Sequence, residues 1–443
     1  MVLSDLLVLL GEYSLVLIYA LPIAIAVFWM HARRRKKDEI HKQILEENEQ
    51  AGLTEPASLH PIIDANLCIG CNSCAEACPE EGVIGIIEEK AALINPTHCI
   101  GHGACAEACP VEAITLVFGS EKRGVDIPYV NENFETNVPG IFIAGELGGM
   151  GLIRNAIEQG RQAMEFICKK PGLKQGNDLD VVIIGAGPSG FAATLGAHMH
   201  NLRYATIEQE SLGGTVAHFP RGKLVMTQPA ELPIYGKVKF TEVSKEELLA
   251  FWQKVGTETK IRINFKERME KIVQIPSGFE VTTTKQTYQT KIVLLTIGRR
   301  GTPRKLDVPG EHLPKVVYRL IDPEQYRNQS VLVVGGGDSA LEAAASIAEE
   351  PGTKVIISYR SNAFTRAKDK NRKRVAAAEE KGNLVVMLQS TIKEILPDKV
   401  IIDHDGKIIE APNDAVIISA GGVLPTGMLK DIGINVETKR GTA

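Results

Sequence analysis

The sequence predicts an α/β fold assembled from several units, and three observations carry that prediction. Two passages run strand, glycine-rich turn, helix and second strand; seven of the eight cysteines crowd between Cys68 and Cys109; and Tyr13 to Met30 form an 18-residue stretch without a charge. At 443 residues the chain exceeds one ordinary core and suggests about three domains. With 44% hydrophobic and 23% charged residues it has the composition of a folded protein. A formal charge of −4 supplies no basic field for a polyanion, so nucleic acid is excluded as an expected partner.

The uncharged stretch, taken as residues 6–30 with only Glu12 inside it, is long enough to cross roughly 30 Å of hydrocarbon as one helix. Arg33, Arg34, Arg35, Lys36 and Lys37 follow at once, whereas Asp5 and Glu12 are the only charged side chains before Tyr13. Because cytoplasmic flanks carry the excess of Lys and Arg, a single-pass anchor in the cytoplasmic membrane is expected, with the remainder facing the cytoplasm. A signal peptide would need a basic leader, a shorter apolar core and a small-residue cleavage site, and none is evident. Residues 31–59 read as a charged spacer, helical where Ile40, Ile44 and Leu45 recur and broken from Gly52 to Pro61.

Cys68-Ile-Gly-Cys71-Asn-Ser-Cys74-Ala-Glu-Ala-Cys78-Pro79 has the spacing C-x2-C-x2-C-x3-C-P. Three thiolates on one tight loop hold three corners of an iron–sulfur cubane, and the fourth, before proline, serves the other cluster of a pair. Zinc needs only four ligands and gives no reason for a second copy. That copy is Cys99-Ile-Gly-His102-Gly-Ala-Cys105-Ala-Glu-Ala-Cys109-Pro110, with His102 in the second ligand slot. Thiolates kept free for metal point to a reducing compartment. On these motifs residues 60–116 resemble bacterial two-cluster ferredoxins. The resemblance implies one 4Fe-4S cluster on Cys68, Cys71, Cys74 and Cys109, and a second cluster on Cys99, Cys105 and Cys78. If His102 ligates iron the second is also 4Fe-4S, with a raised potential because a neutral ligand replaces a thiolate; if not, a 3Fe-4S cluster is expected.

The first nucleotide-type passage is Val181-Val-Ile-Ile184, then Gly185-Ala-Gly187-Pro188-Ser189-Gly190, a helix, and a second strand ending on Glu208. Gly185 permits the tight turn, Gly187 the approach of a pyrophosphate to backbone N–H groups, and Gly190 close helix-to-strand packing, while Glu208 is placed to accept from a ribose. The second opens with Val331 to Val334 and Gly335-Gly-Gly337-Asp338-Ser339-Ala340. No acid ends its second strand; Tyr359 and Arg360 stand there, with Arg366 close behind, which suits the 2′-phosphate of NADPH better than the hydroxyl of NADH.

Two such folds in this order resemble the low-molecular-weight thioredoxin-reductase family of FAD and NAD(P) flavoproteins. Gly213-Gly214-Thr215, Thr296-Ile-Gly298 and Val308-Pro-Gly-Glu311 extend the likeness, and Val316 to Tyr326 resembles the bacillithiol-disulfide-reductase branch. The redox C-x-x-C of thioredoxin reductases is missing, since residues 311 to 340 hold no cysteine. The family's closing FAD segment stands early in this chain, as Thr136-Asn-Val-Pro139-Gly140-Ile-Phe-Ile-Ala144-Gly145-Glu146 followed by a helix, and Lys439-Arg-Gly441 echoes Lys122-Arg-Gly124. A circular permutation is therefore expected, completing the FAD domain of the same chain or, in a homodimer, of a partner. The resemblance places Glu146 on the FAD chain and the helix start at Gly151 to Ile153 against the flavin, where a positive helix end favours the anionic reduced form. It implies no catalytic side chain, because the cofactors carry the chemistry.

The expected architecture is two Rossmann-like dinucleotide-binding domains, a small α+β ferredoxin domain and an N-terminal transmembrane helix. Its parts are an anchor at 6–30, a spacer at 31–59, a ferredoxin domain at 60–116 and a permuted closing segment at 117–170. An FAD domain at 178–305, a nucleotide domain at 306–411 and a return to the FAD domain at 412–443 complete it. The expected activity is electron transfer between NAD(P)H and a redox partner, a membrane protein or quinone, through FAD and two clusters. Disulfide reduction and a non-enzymatic relay in a membrane complex are the alternatives.

Overall fold

The computed structural model describes residues 2–50, 54, 56, 59–80, 82–99, 101–120, 124–149, 151–226, 230–238, 243–299, 301–365 and 367–441. The side chains of residues 2–18, 226 and 230 lie outside that description. The chain divides into two units: Met1–Thr54 with Pro61–Cys99 and Gly103–Leu116, and Glu55–His60 with Ile100–His102 and Val117–Ala443.

In the first unit one helix runs from Val2 to Gln50, continuous through Pro22. Tyr19, Leu21, Ile23, Ile25, Phe28 and Trp29 are all exposed along it. Among the described residues no helix is long and apolar enough to cross a membrane. The side chains of residues 6–18, half of the expected transmembrane segment, lie outside the described ones.

The helix does not end in a free spacer at residues 31–59. Its last three turns bind a hairpin made by Ile84–Ile87 and Lys90–Leu93. His41 Nδ1 lies 3.0 Å from the Ile86 N–H and 2.9 Å from its carbonyl oxygen, and Asp38 Oδ1 accepts from Glu88 N at 2.8 Å. Asn48, buried, donates to Ile94 O at 2.9 Å and to Asn95 Oδ1 at 2.6 Å. These contacts support an unusual turn: Glu88 and Glu89 both have positive φ, 49° and 62°, in a two-residue loop that ordinarily selects Asn-Gly. The helix departs from the expected spacer because its polar face supplies hydrogen-bond partners to the hairpin.

Two short helices, Ser73–Glu76 and Ala104–Glu107, follow the cysteine loops, each entered through a left-handed residue, Asn72 at φ 69° and Gly103 at φ 88°. Gly70 and Gly101, at φ 66° and 72°, complete the match between the two repeats. Cys68, Cys74 and Cys105 are buried with Val83, Ile84, Ala91 and Ala113 in one apolar cluster.

The second unit contains one mixed sheet and one parallel sheet, with their accessory strands. The first has the order Asn264–Phe265, Tyr204–Glu208, Leu179–Ile184, Thr287–Leu295, Gly278–Thr283 and Met269–Ile275. Val181 to Ile184 are almost fully buried, as a central parallel strand covered on both faces requires. Ile141–Ile143, from the early closing segment, pairs in parallel with Val293 to Leu295. The helix Ile153–Cys168 turns Ala156, Ile157, Gly160, Ala163, Met164 and Ile167 inward, the spacing of one helical face. At Gly160 a methyl would stand 2.1 Å from the Ser189 carbonyl oxygen, so glycine is required where this helix crosses Pro188–Met199.

The early segment thus completes the sheet of its own chain. Val436–Lys439 also pairs antiparallel with Val125–Pro128.

The second sheet is parallel throughout, in the order Val316–Val317, Ala415–Ile418, Ser330–Val334, Lys354–Ser358 and Leu384–Met387. Ala415–Ile418 lies between the first and third of these strands, so the nucleotide domain extends beyond residue 411. The return begins with Gly422–Val423, paired to Thr302–Pro303. Sequence placed that boundary too early because a buried apolar strand reads alike in either sheet.

Candidate functional site: two nucleotide cradles and a thiol-lined cavity

The first cradle forms where Leu179–Ile184 passes into the helix Pro188–Met199. Gly185 has φ 106°, and a methyl there would stand 2.6 Å from the Thr296 carbonyl oxygen. At Gly190 a methyl would stand 1.9 Å from the Gly185 carbonyl oxygen. At Gly187 no neighbour lies nearer than 4.0 Å, so that glycine keeps a space open in front of the helix start. Pro188 occupies the first helical turn, where its missing N–H costs nothing.

Ser189 Oγ is buried without a hydrogen-bond partner. A buried unsatisfied hydroxyl costs about 1–3 kcal/mol, and an acceptor at the helix start would remove that cost. The residues present therefore fit the pyrophosphate of a dinucleotide. Glu208, buried at the second strand's tip, accepts from Ala186 N at 2.8 Å and from Glu210 N at 2.9 Å. Its remaining lone pairs are available to ribose hydroxyls. Gly213, at φ 106°, donates to Ala186 O at 2.9 Å and leads through Gly214 and Thr215 into the short helix Gly214–His218.

From the closing segment, Gly145 has φ 87° and ψ −157°, a backbone open only to glycine, and its N–H donates to Gln159 Oε1 at 2.8 Å. Glu146 lies against the Gly151 turn. Ile153 opens its helix with no side-chain cap from Leu152. Arg299, which the sequence reading missed, reaches into this region and donates to Asp126 O at 2.7 Å. Burial lowers its pKa, while the carboxylates of Glu146 and Asp126 oppose that shift. Its only sequence signal is its place directly after Thr296-Ile-Gly298, and an arginine there reads as surface charge.

The second cradle repeats the pattern. Gly335 has φ 143°, and a methyl there would stand 2.4 Å from the Ser419 carbonyl oxygen, whereas a methyl at Gly337 would meet nothing within 4 Å. Ala340 is buried, Ser339 exposed. Asp338 is turned to a structural task, accepting from Lys368 N and Asn371 Nδ2, both at 2.7 Å. Tyr359 stacks on Phe364 at 5.7 Å and lies over Gly336, where a methyl would come within 2.5 Å of its ring. Arg360 is exposed at the strand tip; Arg366 lies outside the described residues.

In the first unit a cavity is lined by Cys68, Cys71, Cys74 and Cys109 together with Ile63, Ala91 and Ile114. These are the four thiols that the ferredoxin resemblance groups together. Backbone N–H groups point at the sulfurs, Ala91 N and Gly70 N to Cys68 Sγ at 3.4 and 3.5 Å, and Ala113 N to Cys109 Sγ at 3.3 Å. Such donors tune a cluster's potential. Among the described residues no three ligand-type side chains converge tightly enough for a single metal ion. Four thiols arranged around a space fit a cluster of several atoms, whose ligands need not converge on a point.

Burial pushes the Cys74 and Cys105 thiols up to about 11, and the charges of Cys99 and Cys78 add to the shift at Cys105. Cys78 is also raised by burial, whereas the Ser73 hydroxyl, 3.4 Å away, holds Cys71 below its usual value. Metal binding must therefore displace protons from the buried thiols. Cys78, Cys99 and Cys105 share the apolar cluster of this unit; His102 falls outside the unit, in the stretch Ile100–His102. Cys168, half-buried at its helix end, is raised by burial.

Comparison with known proteins follows these divisions. Residues 182–442 match the family profile described as pyridine nucleotide-disulphide oxidoreductase, and residues 60–110 match the 4Fe-4S dicluster domain. The ferredoxin–NADP reductase of Ignicoccus hospitalis is 29% identical over 271 residues, 59% of this chain and 83% of that protein. The bacilliredoxin reductase of Bacillus subtilis is 25% identical over 266 residues, 59% of this chain and 82% of that one. The bacillithiol disulfide reductase structure from Staphylococcus aureus superposes with a TM-score of 0.51 at 21% identity, covering 59% of this chain and 81% of that one, a likeness of fold.

Proposed function

The chain belongs to the pyridine nucleotide-disulphide oxidoreductase family, and from that premise we propose that it is a membrane-anchored iron–sulfur flavoprotein that moves electrons between NADPH and a redox partner through FAD and two clusters. The observation that carries the reading is that one chain supplies two open glycine cradles and a cavity edged by four thiols.

When bound, FAD exchanges two electrons with the nicotinamide and single electrons with the clusters. Gly185, Gly187, Pro188, Ser189, Gly190 and Glu208 would hold its pyrophosphate and ribose, with the Gly213–Gly214 turn folded against them. The positive end of the helix dipole at Ile153 favours negative charge beside it. Gly335, Gly337 and the exposed Arg360 would receive NADPH, Arg360 pairing with the 2′-phosphate. Cys68, Cys71, Cys74 and Cys109 would hold one cluster and Cys78, Cys99 and Cys105 the second, which is 4Fe-4S with His102 at its fourth corner or 3Fe-4S without it.

Membrane anchoring is supported by the exposed apolar row from Tyr19 to Met30 and by the basic run that follows it. Arg33 packs over the Trp29 ring at 4.2 Å, an arrangement suited to the level of lipid headgroups. The orientation proposed has the soluble part in the cytoplasm.

Anaerobic mixing with NADPH tests the redox assignment. Loss of both flavin and cluster absorbance is expected; bleaching of neither refutes it in favour of a passive relay. The likeness to a bacilliredoxin reductase favours a second reading, disulfide reduction, which would appear as disulfide turnover independent of the clusters.

A further inference from the structure

The helix Val2–Gln50 joins two features that the proposed function treats separately, the apolar row that ends at Met30 and the hairpin beside the first thiol cavity. Its hold on the hairpin is specific. His41 contacts both the N–H and the carbonyl of Ile86, Asp38 and Lys42 both bind Glu88, and Asn48 is buried against Ile94 and Asn95. Gly85 permits the close approach, since a methyl there would stand 2.8 Å from the His41 ring.

The hairpin in turn reaches the thiols. Ile86 pairs with Ala91 across the ladder, and Ala91 N donates to Cys68 Sγ at 3.4 Å while Ala91 lines the cavity. Lys90 Nζ donates to the Cys68 carbonyl at 2.6 Å. From His41 to Cys68 there is therefore one strand pair and no flexible segment. His41 stands 11 residues beyond Met30, or about 16 Å along an unbroken helix at 1.5 Å per residue.

We infer that this helix is a rigid strut holding the Cys68/Cys71/Cys74/Cys109 cluster at one height and one orientation above an anionic lipid surface. The inference rests on the membrane anchoring proposed above. The occupant of the exposed apolar row is the bilayer, because five consecutive cationic side chains closely follow that row and match anionic headgroups. A tether would need only length, whereas four side chains spent on fixing the hairpin give the cluster a defined position.

The test uses the full, cluster-loaded chain in vesicles of phosphatidylcholine and phosphatidylglycerol doped with a Gd(III)-chelating lipid. Electron spin relaxation of the reduced cluster reports its distance from the headgroup layer. Seven helix-forming residues inserted between Lys36 and Lys37 add about two turns, raising the cluster by about 10 Å while nearly keeping its face. A severalfold weaker relaxation enhancement than in the native chain is expected. A His41→Ala, Asn48→Ala double variant should spread the single relaxation rate into a distribution. Equal enhancement with and without the insertion overturns the strut, as does a single unchanged rate in the double variant. The insertion lies in exposed helix and leaves the packed hairpin intact, so it remains decisive if the double variant fails to fold. Failure of the native chain to float with the vesicles would instead refute the membrane anchoring itself.

Discussion

In a Gly190→Ala variant the added methyl would stand 1.9 Å from the Gly185 carbonyl oxygen and 2.6 Å from Thr296 Oγ1. Neither neighbour can yield cheaply, because Gly185 belongs to the turn itself and Thr296 Oγ1 is bonded to the Ile184 and Gly185 carbonyls at 2.9 and 3.0 Å. Overpacking of this kind costs about 1–3 kcal/mol, partly offset by about 1 kcal/mol of helix propensity gained on leaving glycine. A 1.9 Å contact with fixed backbone demands the upper end of that cost, and the net loss of roughly 2 kcal/mol should lower the melting temperature of the FAD domain by about 4–8 °C. Gly187→Ala is the contrasting change. Its φ of −70° suits alanine, and no atom lies nearer than 4.0 Å, so the fold should keep its stability. The methyl would nevertheless occupy the space proposed for the pyrophosphate. Purified Gly187→Ala protein should melt like the native apoprotein yet carry well under half the native flavin, read from the ratio of visible to protein absorbance. Stoichiometric flavin in that variant would refute the assignment of the cradle; native melting in Gly190→Ala would refute the packing argument.

The remaining expectations concern charge and ligation. Burial pushes the Asp180 carboxyl up, but Arg203, whose guanidinium lies 2.8 Å away, and the N–H groups of Arg203 and Lys174 outweigh it and hold the pKa at about 2. Because that is below the ordinary aspartate value of 3.8, its contribution is present above about pH 4 and disappears as pH falls toward 2. Urea unfolding of the native chain should lose about 2 kcal/mol across that window, a loss absent from Asp180→Asn. Arg360→Ala should raise the KM for NADPH about tenfold and leave that for NADH unchanged in steady-state reduction of a dye, the loss of one charge-assisted contact. His102→Cys should lower the potential of the second cluster in an EPR-monitored redox titration, since a thiolate adds negative charge; an unchanged potential would remove His102 from the ligand slot.

The glycine turns and the thiol groupings were legible in the sequence because each depends on local geometry. Gly190 is glycine for what lies five residues before it, and the cysteine loops repeat their left-handed entries at Gly70 and Asn72, then at Gly101 and Gly103. What depended on distant partners was not legible. His41 looks like one polar residue on a charged helix until Ile86 is placed beside it, 45 positions later. Arg299 reads as surface charge until Asp126 and Glu146 arrive from a segment more than 150 positions earlier. Glu88 and Glu89 give no turn signal at all, and the turn is held at Glu88, whose N–H donates to Asp38 and whose carboxylate accepts from Lys42.

The permutation has a physical reason to be tolerated at the place where it occurs. Val436 pairs with Pro128, Glu437 with Ile127, Thr438 with Asp126 and Lys439 with Val125, an antiparallel register that a tight turn from Lys439 to Val125 would close as an ordinary hairpin. In this chain Val125 is instead entered from the cysteine module, through Val117 and Gly124. The ladder survives without its turn, and Gly441 N still donates to the Phe118 carbonyl at 2.9 Å, drawing the two passages together. Hairpin tips carry few contacts and accept new connections more readily than strands do. No sheet strand is sacrificed: Ile141–Ile143 keeps its parallel place beside Val293 to Leu295, and Gly160 keeps its crossing at Ser189. A cysteine module introduced at this point therefore precedes the segment that holds Gly145, Glu146 and Ile153. Its sequence connection to the flavin side is made without disturbing the turn that would carry the pyrophosphate.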